Sequence, residues 1–358
     1  LPEAWHHDAP ANASAAVSPD WWTRFDDPAL NALIAAAADY NQDLRLAVAR
    51  VDEARALAGI ARADQLPRLD GSAQASRSRG SSVGLQPVLG RPVLEDKQAG
   101  ATLSFELDIW GKLRRASEAA QASLLASQAN RDAVQLGLYA QVANSYFSLR
   151  GLDQQLDIAQ RTLASRQQAL TLREKRFKGG ITSELDFRQA ESEAAVAAAA
   201  VPVLAQQVQQ AETALAVLVG RSPRDIVSGQ LPRGKAIGDI SVPPPVPAGL
   251  PSSLLTRRPD VQAAEQTLVA ANARIGVARA AFLPSISLTG LLGSESVALS
   301  GLFNGPAATW NFASNLAMPL FDFGKTAAGV DAANARQQQA LAQYQQAIQT
   351  AFKEAQDS

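Results

Sequence analysis

Residues 99–112 read Ala-Gly-Ala-Thr-Leu-Ser-Phe-Glu-Leu-Asp-Ile-Trp-Gly-Lys, and the fold turns on this stretch. Ala99, Ala101, Leu103, Phe105, Leu107 and Ile109 alternate with Gly100, Thr102, Ser104, Glu106 and Asp108. That is the period of a strand with one apolar and one polar face. Gly111-Lys112 ends the alternation and opens a long run of helical period. Upstream, Arg68 to Ser78 carries Arg68, Asp70, Ser72, Gln74 and Ser76 on one face and mostly small residues on the other. The two segments predict a β-hairpin within 66–109, with a loop from Arg79 to Asp96.

The same order of signals occurs twice. Ala58-Gly59-Ile60-Ala61-Arg62-Ala63, followed by Leu66-Pro67, recurs as Ile275-Gly276-Val277-Ala278-Arg279-Ala280, followed by Leu283-Pro284. Asp108-Ile109-Trp110-Gly111-Lys112 recurs as Asp322-Phe323-Gly324-Lys325. The second copy predicts a hairpin within 283–321, its strands carried by Ile286, Leu288, Gly290 and Leu292 and by Phe312, Ser314, Leu316, Met318 and Leu320, with a loop from Ser294 to Pro306. The chain therefore divides into an extended segment (1–26), repeat one (27–220), a connector (221–258) and repeat two (259–358). Repeat two stops before the part that would match 146–220 and reads as truncated. Pro223, Pro232, Pro243, Pro244, Pro245, Pro247 and Pro251 keep the connector from forming a continuous helix or a central strand.

After Lys112, the residues Ala122, Ala126, Ala129, Ala133, Leu136, Ala140, Ala143 and Phe147 follow one another in steps of four and three, the seam of a left-handed coiled coil. The seam resumes with Leu152, Leu156, Ala159, Leu163, Leu170 and Phe177, and returns with Leu185, Ala194, Ala197, Val201, Leu204, Val208, Ala211, Leu215 and Leu218. Between the arms, Gly179-Gly180 stops one helix and Thr182-Ser183 can cap the next. The result is an antiparallel helical hairpin over 112–219, whose first arm would extend about 100 Å. Pro202 should kink the return arm or mark a local break.

Strands of about 10 residues can cross a tilted bilayer, although a half-buried soluble sheet shows the same alternation. Four strands cannot close a barrel, and open edges are not tolerated in lipid. A membrane reading therefore demands several chains sharing one barrel. The competing reading is a soluble coiled-coil scaffold without transport activity.

Composition narrows the chemistry. Across 358 residues, 33 Lys+Arg against 34 Asp+Glu give a net charge of -1, which offers no strong electrostatic case for nucleic acid or an anionic membrane surface. The absence of Cys excludes disulfides and thiolate sites, and with two His, His6 and His7, an imidazole metal centre or a Ser-His nucleophile has no support. The longest apolar run, Ala194 to Ala205, is far short of the roughly 20 residues a spanning helix needs. No enzyme, metal or cofactor is expected. Trp21-Trp22 reads as packing near the helix start at Asp27-Pro28, with a ligand platform as the other reading.

The chain resembles the outer-membrane factor family, the TolC-like and OprM-like exit ducts of tripartite efflux pumps, in its NodT lipoprotein branch. The resemblance rests on Leu1-Pro2 with Trp5; Trp21-Trp22, Phe25, Asp27-Pro28, Leu30-Asn31 and Leu33-Ile34; Asn41, Asp43-Leu44, Ala49-Arg50-Val51 and Ala54-Arg55-Ala56; both Leu-Pro strand entries; Phe105 to Lys112; Phe177 to Gly180 with Leu185-Asp186; and Arg257-Arg258-Pro259-Asp260-Val261.

The resemblance implies an α+β homotrimer. Long coiled-coil helices would form a periplasmic α-barrel, joined to a shared 12-stranded transmembrane β-barrel with four strands per protomer. It would lie in the outer membrane of a Gram-negative bacterium, with a large periplasmic portion, and passively conduct exported solutes. The connector would be equatorial. Thr102, Ser104 and Glu106 would face the lumen, and Leu103, Phe105 and Leu107 the outer-membrane lipid. Trp110 would be an interfacial anchor, beside its reading as simple packing. Lys178, Gly179, Gly180, Ile181, Thr182, Ser183 and Leu185 would dock a periplasmic adaptor (membrane fusion) protein, which couples to an inner-membrane RND-type transporter. Glu184 and Asp186 are gate or lumen charges, or else solvated salt-bridge residues. The family's lipidated N-terminal Cys does not occur in this chain, so a lipid anchor is implied only by resemblance.

Overall fold

The computed structural model describes residues 20–81, 93–241 and 253–357. Leu1-Pro2, Trp5, His6 and His7, the middle of the first hairpin loop and the triple proline lie outside these. The helices are α1 (Pro28–Tyr40), α2 (Gln42–Ala63), α3 (Lys112–Lys178), α4 (Glu184–Leu218), the short α5 (Pro223–Ser228) and α6 (Ser253–Arg257), α7 (Pro259–Ala280) and α8 (Lys325–Asp357). The strands are β1 (Arg68–Arg79), β2 (Val93–Leu107), β3 (Ser285–Ser296) and β4 (Ala308–Ala317). Their contacts fall into two compact units, Leu1–Ala49 with Asn130–Arg257 and Arg50–Ala129 with Arg258–Ser358. These units cut across the two sequence repeats.

In the first unit, Pro28 sits where a missing N–H costs nothing, and the Asp27 carboxylate caps α1 by accepting from the N–H groups of Ala29 (2.9 Å) and Leu30 (3.4 Å). Leu30, Leu33, Ile34 and Ala37 then recur at helical spacing and are buried against Leu138, Val142, Tyr146 and Leu149 of α3, Leu215 and Ala216 of α4, Val219 just after it, and Leu231. Each large aliphatic side chain buried there contributes about 1.5–3 kcal/mol. Trp21, Trp22 and Phe25, in a 3₁₀ turn, cover this core, with Trp22 edge-on to Tyr139 (4.8 Å) and Phe25 tilted on Phe147 (4.8 Å). The tryptophans are packing residues here.

Along α4, Ala194, Ala197, Val201, Leu204, Val208, Ala211, Leu215 and Leu218 are buried or half-buried, as the heptad reading expects. Leu185 is exposed. The α3 seam departs from the expected burial chiefly at Leu136, while Ala133, Ala140 and Phe147 are half-buried and Ala143 is buried as the heptad reading expects. Leu136 is 51% exposed, and Leu138, Val142, Tyr146 and Leu149, which the seam did not include, are also buried, because this part of α3 faces the α1–α4 core. Pro202 makes no break, since α4 runs through it without interruption.

The second unit holds an antiparallel sheet in the order β1-β2-β3-β4. Its helices are lined by alanine: Ala119, Ala122, Ala126 and Ala129 of α3, Ala263, Ala270, Ala271 and Ala273 of α7, and Ala333, Ala340 and Ala351 of α8 are buried. Such small residues allow close helix approach. Arg258 is paired locally to Asp260 (2.7 Å) and, 96 residues away, to Glu354 of α8 (2.6 Å).

All four strands differ from their predicted limits, β1 reaching Arg79 and β3 reaching Ser296 inside the expected loops. β2 begins at Val93 inside the expected loop, where Glu95, Asp96 and Lys97 conceal its alternation, and it ends at Leu107 because Asp108 turns to cap the next helix. β4 ends at Ala317, leaving Met318 and Leu320 outside it, since Pro319 has no N–H for the ladder. Among the described residues, no helix is long and apolar enough to cross a membrane.

Candidate functional site

Register assigns every strand residue to a face, because directly opposed residues of antiparallel strands share one. One face carries the rows Leu107-Ile286-Leu316, Phe105-Leu288-Ser314, Leu69-Leu103-Gly290-Phe312 and Gly71-Ala101-Leu292-Trp310. The other carries Glu106-Ser287-Asn315, Arg68-Ser104-Thr289-Ala313 and Asp70-Thr102-Leu291-Asn311. Leu103, Phe105 and Leu107 thus belong to a largely apolar face spanning all four strands, and Thr102, Ser104 and Glu106 to a largely polar one. The outer edges of β1 and β4 have no neighbouring strand among the described residues.

Strand passes to helix at two matching corners. Asp108 accepts from the N–H groups of Leu113 and Arg114 (both 2.9 Å) and from the Arg114 guanidinium, while Asp322 accepts from Gly324 (3.0 Å) and Thr326 (2.9 Å). Gly111 (φ 77°) and Gly324 (φ 84°) take the left-handed conformation that these turns need. Trp110 lies at the first corner, 48% exposed, and its indole N–H donates to the Pro284 carbonyl at 2.7 Å. It bridges the ends of the two repeats' hairpins. Glu106 pairs with Lys112 at 3.0 Å.

Gly179 to Ser183 form the turn between α3 and α4, flanked by Lys178 at the end of α3 and by Glu184, Leu185 and Asp186 in the first turn of α4. The N–H of Gly180 donates to Phe177 O and that of Ile181 to Arg176 O, a Schellman closure with Gly180 at φ 71°. Ser183 caps α4 in a reciprocal box, its hydroxyl accepting from the Asp186 N–H (3.2 Å) and the Asp186 carboxylate accepting from the Ser183 N–H (3.3 Å). Phe177 and Phe187 stack at 5.6 Å, nearly parallel, and close the hairpin below the turn. Ile181 is 76% and Leu185 66% exposed, an apolar pair at the tip. The two acidic residues are engaged locally, Glu184 with Arg188 (3.5 Å) and Asp186 with Ser183 and Arg173 (3.9 Å). Lys178 pairs with Glu174 at 2.7 Å, and that cation holds the Glu174 carboxyl below its ordinary range.

The sequence reading missed a polar clamp in the first unit. Asp27, fully buried, accepts from the Tyr146 hydroxyl (2.6 Å) and from the Lys235 N–H (3.3 Å) besides its two capping bonds, and the Tyr146 oxygen accepts from the Gly234 N–H (3.1 Å). A Cβ on Gly234 would fall 2.1 Å from the Asp27 carboxylate, so only glycine fits. Beside it, Arg233 grips Glu212 through two nitrogens (2.8 and 3.1 Å) and Asp153 through a third (2.8 Å). Burial of the hydroxyl and its bond to Asp27 push Tyr146 up to about 12, and the hydrogen bond from Arg233 lowers Glu212. The only sequence hint was Asp27-Pro28, which marks the helix cap and not its partners.

A sheet with one apolar face, joined through capped corners to long alanine-seamed helices, defines the class of outer-membrane channel that spans lipid with strands and the periplasm with helices. A family model described as outer membrane efflux protein matches residues 33–221 and 250–358. The chain is 39% identical over 334 residues to the solvent efflux pump outer membrane protein SrpC of Pseudomonas putida, a match covering 93% of this chain and 70% of that protein. It is 37% identical over 342 residues to the cation efflux system protein CusC of Escherichia coli O6:H1, covering 94% and 71%. The crystal structure of the Campylobacter jejuni CmeC outer membrane channel superposes with a TM-score of 0.91 at 29% identity, over 99% of this chain and 76% of that one. The chain belongs to the outer membrane efflux protein family, and it acts in the outer membrane with a large helical part in the periplasm. The soluble-scaffold reading has no support.

Proposed function

We propose that three copies pool their strands into one 12-stranded barrel and their helices into a periplasmic α-barrel, forming the passive exit duct of a tripartite pump. The observation that carries this is the sheet itself: its apolar face suits lipid, yet its β1 and β4 edges would be left unpaired in a single copy. In this arrangement Leu103, Phe105 and Leu107 meet lipid, Thr102, Ser104 and Glu106 line the lumen, and Trp110 sits at the periplasmic interface. The tip, Lys178 to Ser183 with Leu185, receives a periplasmic adaptor, and energy comes from an inner-membrane RND-type transporter. Exposed Ile181 and Leu185 support that docking surface. Glu184 and Asp186 serve the tip's own structure first. Resemblance to the lipoprotein branch extends the proposal to an N-terminal lipid anchor.

The duct performs no chemistry, so cargo is chosen upstream. The chain is nearly as similar to a cation pump component as to a solvent pump component, which fits a wall that discriminates little. The test is the native mass of the full-length protein extracted from outer membranes in detergent. A detergent-bound trimer is expected; a monomer recovered without detergent would overturn the proposal.

A further inference from the structure

Beyond its apolar band, the face assigned to lipid becomes basic. On β2 that face runs Leu107, Phe105, Leu103, Ala101 and Ala99, and the next two residues on it are Lys97 and Glu95. On β1, Arg77 is opposed to Glu95 and Arg79 to Val93, so both arginines share the face. The Glu95 carboxylate is shared by Arg77 (3.3 Å) and Lys97 (3.2 Å), and Lys97 also donates to the Val297 carbonyl (3.1 Å). Three cations therefore stand against one carboxylate. At the same height the opposite face has the reverse sign, with Asp96 and Glu295 and no cation among the described strand residues. Charge is thus sorted by face, as solvation alone would not require.

The height is informative too. The five apolar residues from Leu107 to Ala99 cover about 27 Å of strand, which a barrel tilt of about 45° reduces to about 20 Å across the bilayer. That approaches the roughly 25 Å apolar band of outer-membrane barrels. Trp310 lies one row inside the band's far end, where interfacial aromatics gather, and is largely exposed. Lys97 follows one row beyond the band, at the level where headgroup phosphates begin.

We infer that Arg77, Arg79 and Lys97 form a binding surface for the phosphate groups of the outer leaflet's phosphorylated glycolipid. Guanidinium forks suit phosphate oxygens, and exchanging the shared Glu95 for phosphate leaves each cation partnered. The inference rests on the membrane reading of the sheet. It is tested by native mass spectrometry of the full-length protein extracted from outer membranes, titrated with bisphosphorylated lipid A and, separately, with its dephosphorylated form. The phosphorylated lipid is expected to be retained about ten-fold better. R77Q/R79Q/K97Q should abolish that preference at unchanged extraction yield and native mass, while E95Q should strengthen it. Equal retention of both lipids by the parent protein, or an unchanged preference in the triple variant, would overturn the inference and leave these residues as a solvated rim. Recovery of the protein without detergent would instead overturn the membrane reading beneath it.

Discussion

The hydroxyl of Tyr146 donates a 2.6 Å hydrogen bond to Asp27, 119 residues earlier in the chain, and neither side chain reaches solvent. One oxygen of Tyr146 thereby ties the cap of α1 to the connector, because it also accepts from the Gly234 N–H. Tyr146→Phe removes a donor from a buried carboxylate and an acceptor from a part-buried amide. It should cost about 2–3 kcal/mol, read as a lower denaturant midpoint with unchanged slope.

The same pair gives an alkaline signature. Tyr146 is raised from its ordinary value of 10.0 to about 12, so the neutral hydroxyl is favoured in the folded protein. Its contribution is fully present below pH 10 and is lost as pH rises through about 12. Thermal unfolding followed across that window should show a decline that Tyr146→Phe removes.

At acid pH the sign reverses. Arg233 holds Glu212 below its ordinary 4.5, so the stabilisation is present above that value and lost as pH falls through the lowered one. Glu212→Gln should flatten the acid limb of a stability profile. Arg233→Met, which strands Glu212 and Asp153 together, should cost about 3 kcal/mol at neutral pH.

Gly180 allows a test that separates turn geometry from docking. Its φ of 71° suits Gly or Asn, and a Cβ there meets nothing within 4 Å. Gly180→Asn should keep both fold and efflux, whereas bulky residues at Gly179 or Gly180 should abolish efflux and leave the native mass unchanged. Unaltered solute resistance in cells carrying the bulky variants would refute the docking role.

On the sheet, Leu103→Arg should cost about 2–4 kcal/mol and block recovery from the outer membrane, because it puts a charge mid-band on the apolar face. Ser104→Lys, one residue away on the opposite face, should assemble and alter single-channel conductance. Equal assembly defects in both variants would remove the assignment of faces.

Periodic and local features could be read in the sequence. The alternation around Leu103 and the α4 seam through Ala194, Val201 and Leu215 each repeat a single packing relationship, so one chain records them many times. The glycine stop and serine start at the tip were equally legible, since each is complete within six residues. The clamp was not, because Lys235 lies 208 residues from Asp27 and neither belongs to a pattern. The onset of β2 was concealed for a different reason: Glu95 and Lys97 occupy the face that is apolar elsewhere in the strand.

The open edges of β1 and β4 also carry a genetic consequence. If each barrel takes three chains at random, a variant that inserts but fails at one edge damages every assembly it joins. Equal synthesis of variant and parent then leaves only about one barrel in eight free of the defect. Edge lesions should therefore behave as dominant, and tip lesions can be judged only against the dosage of parent chains in the same cell.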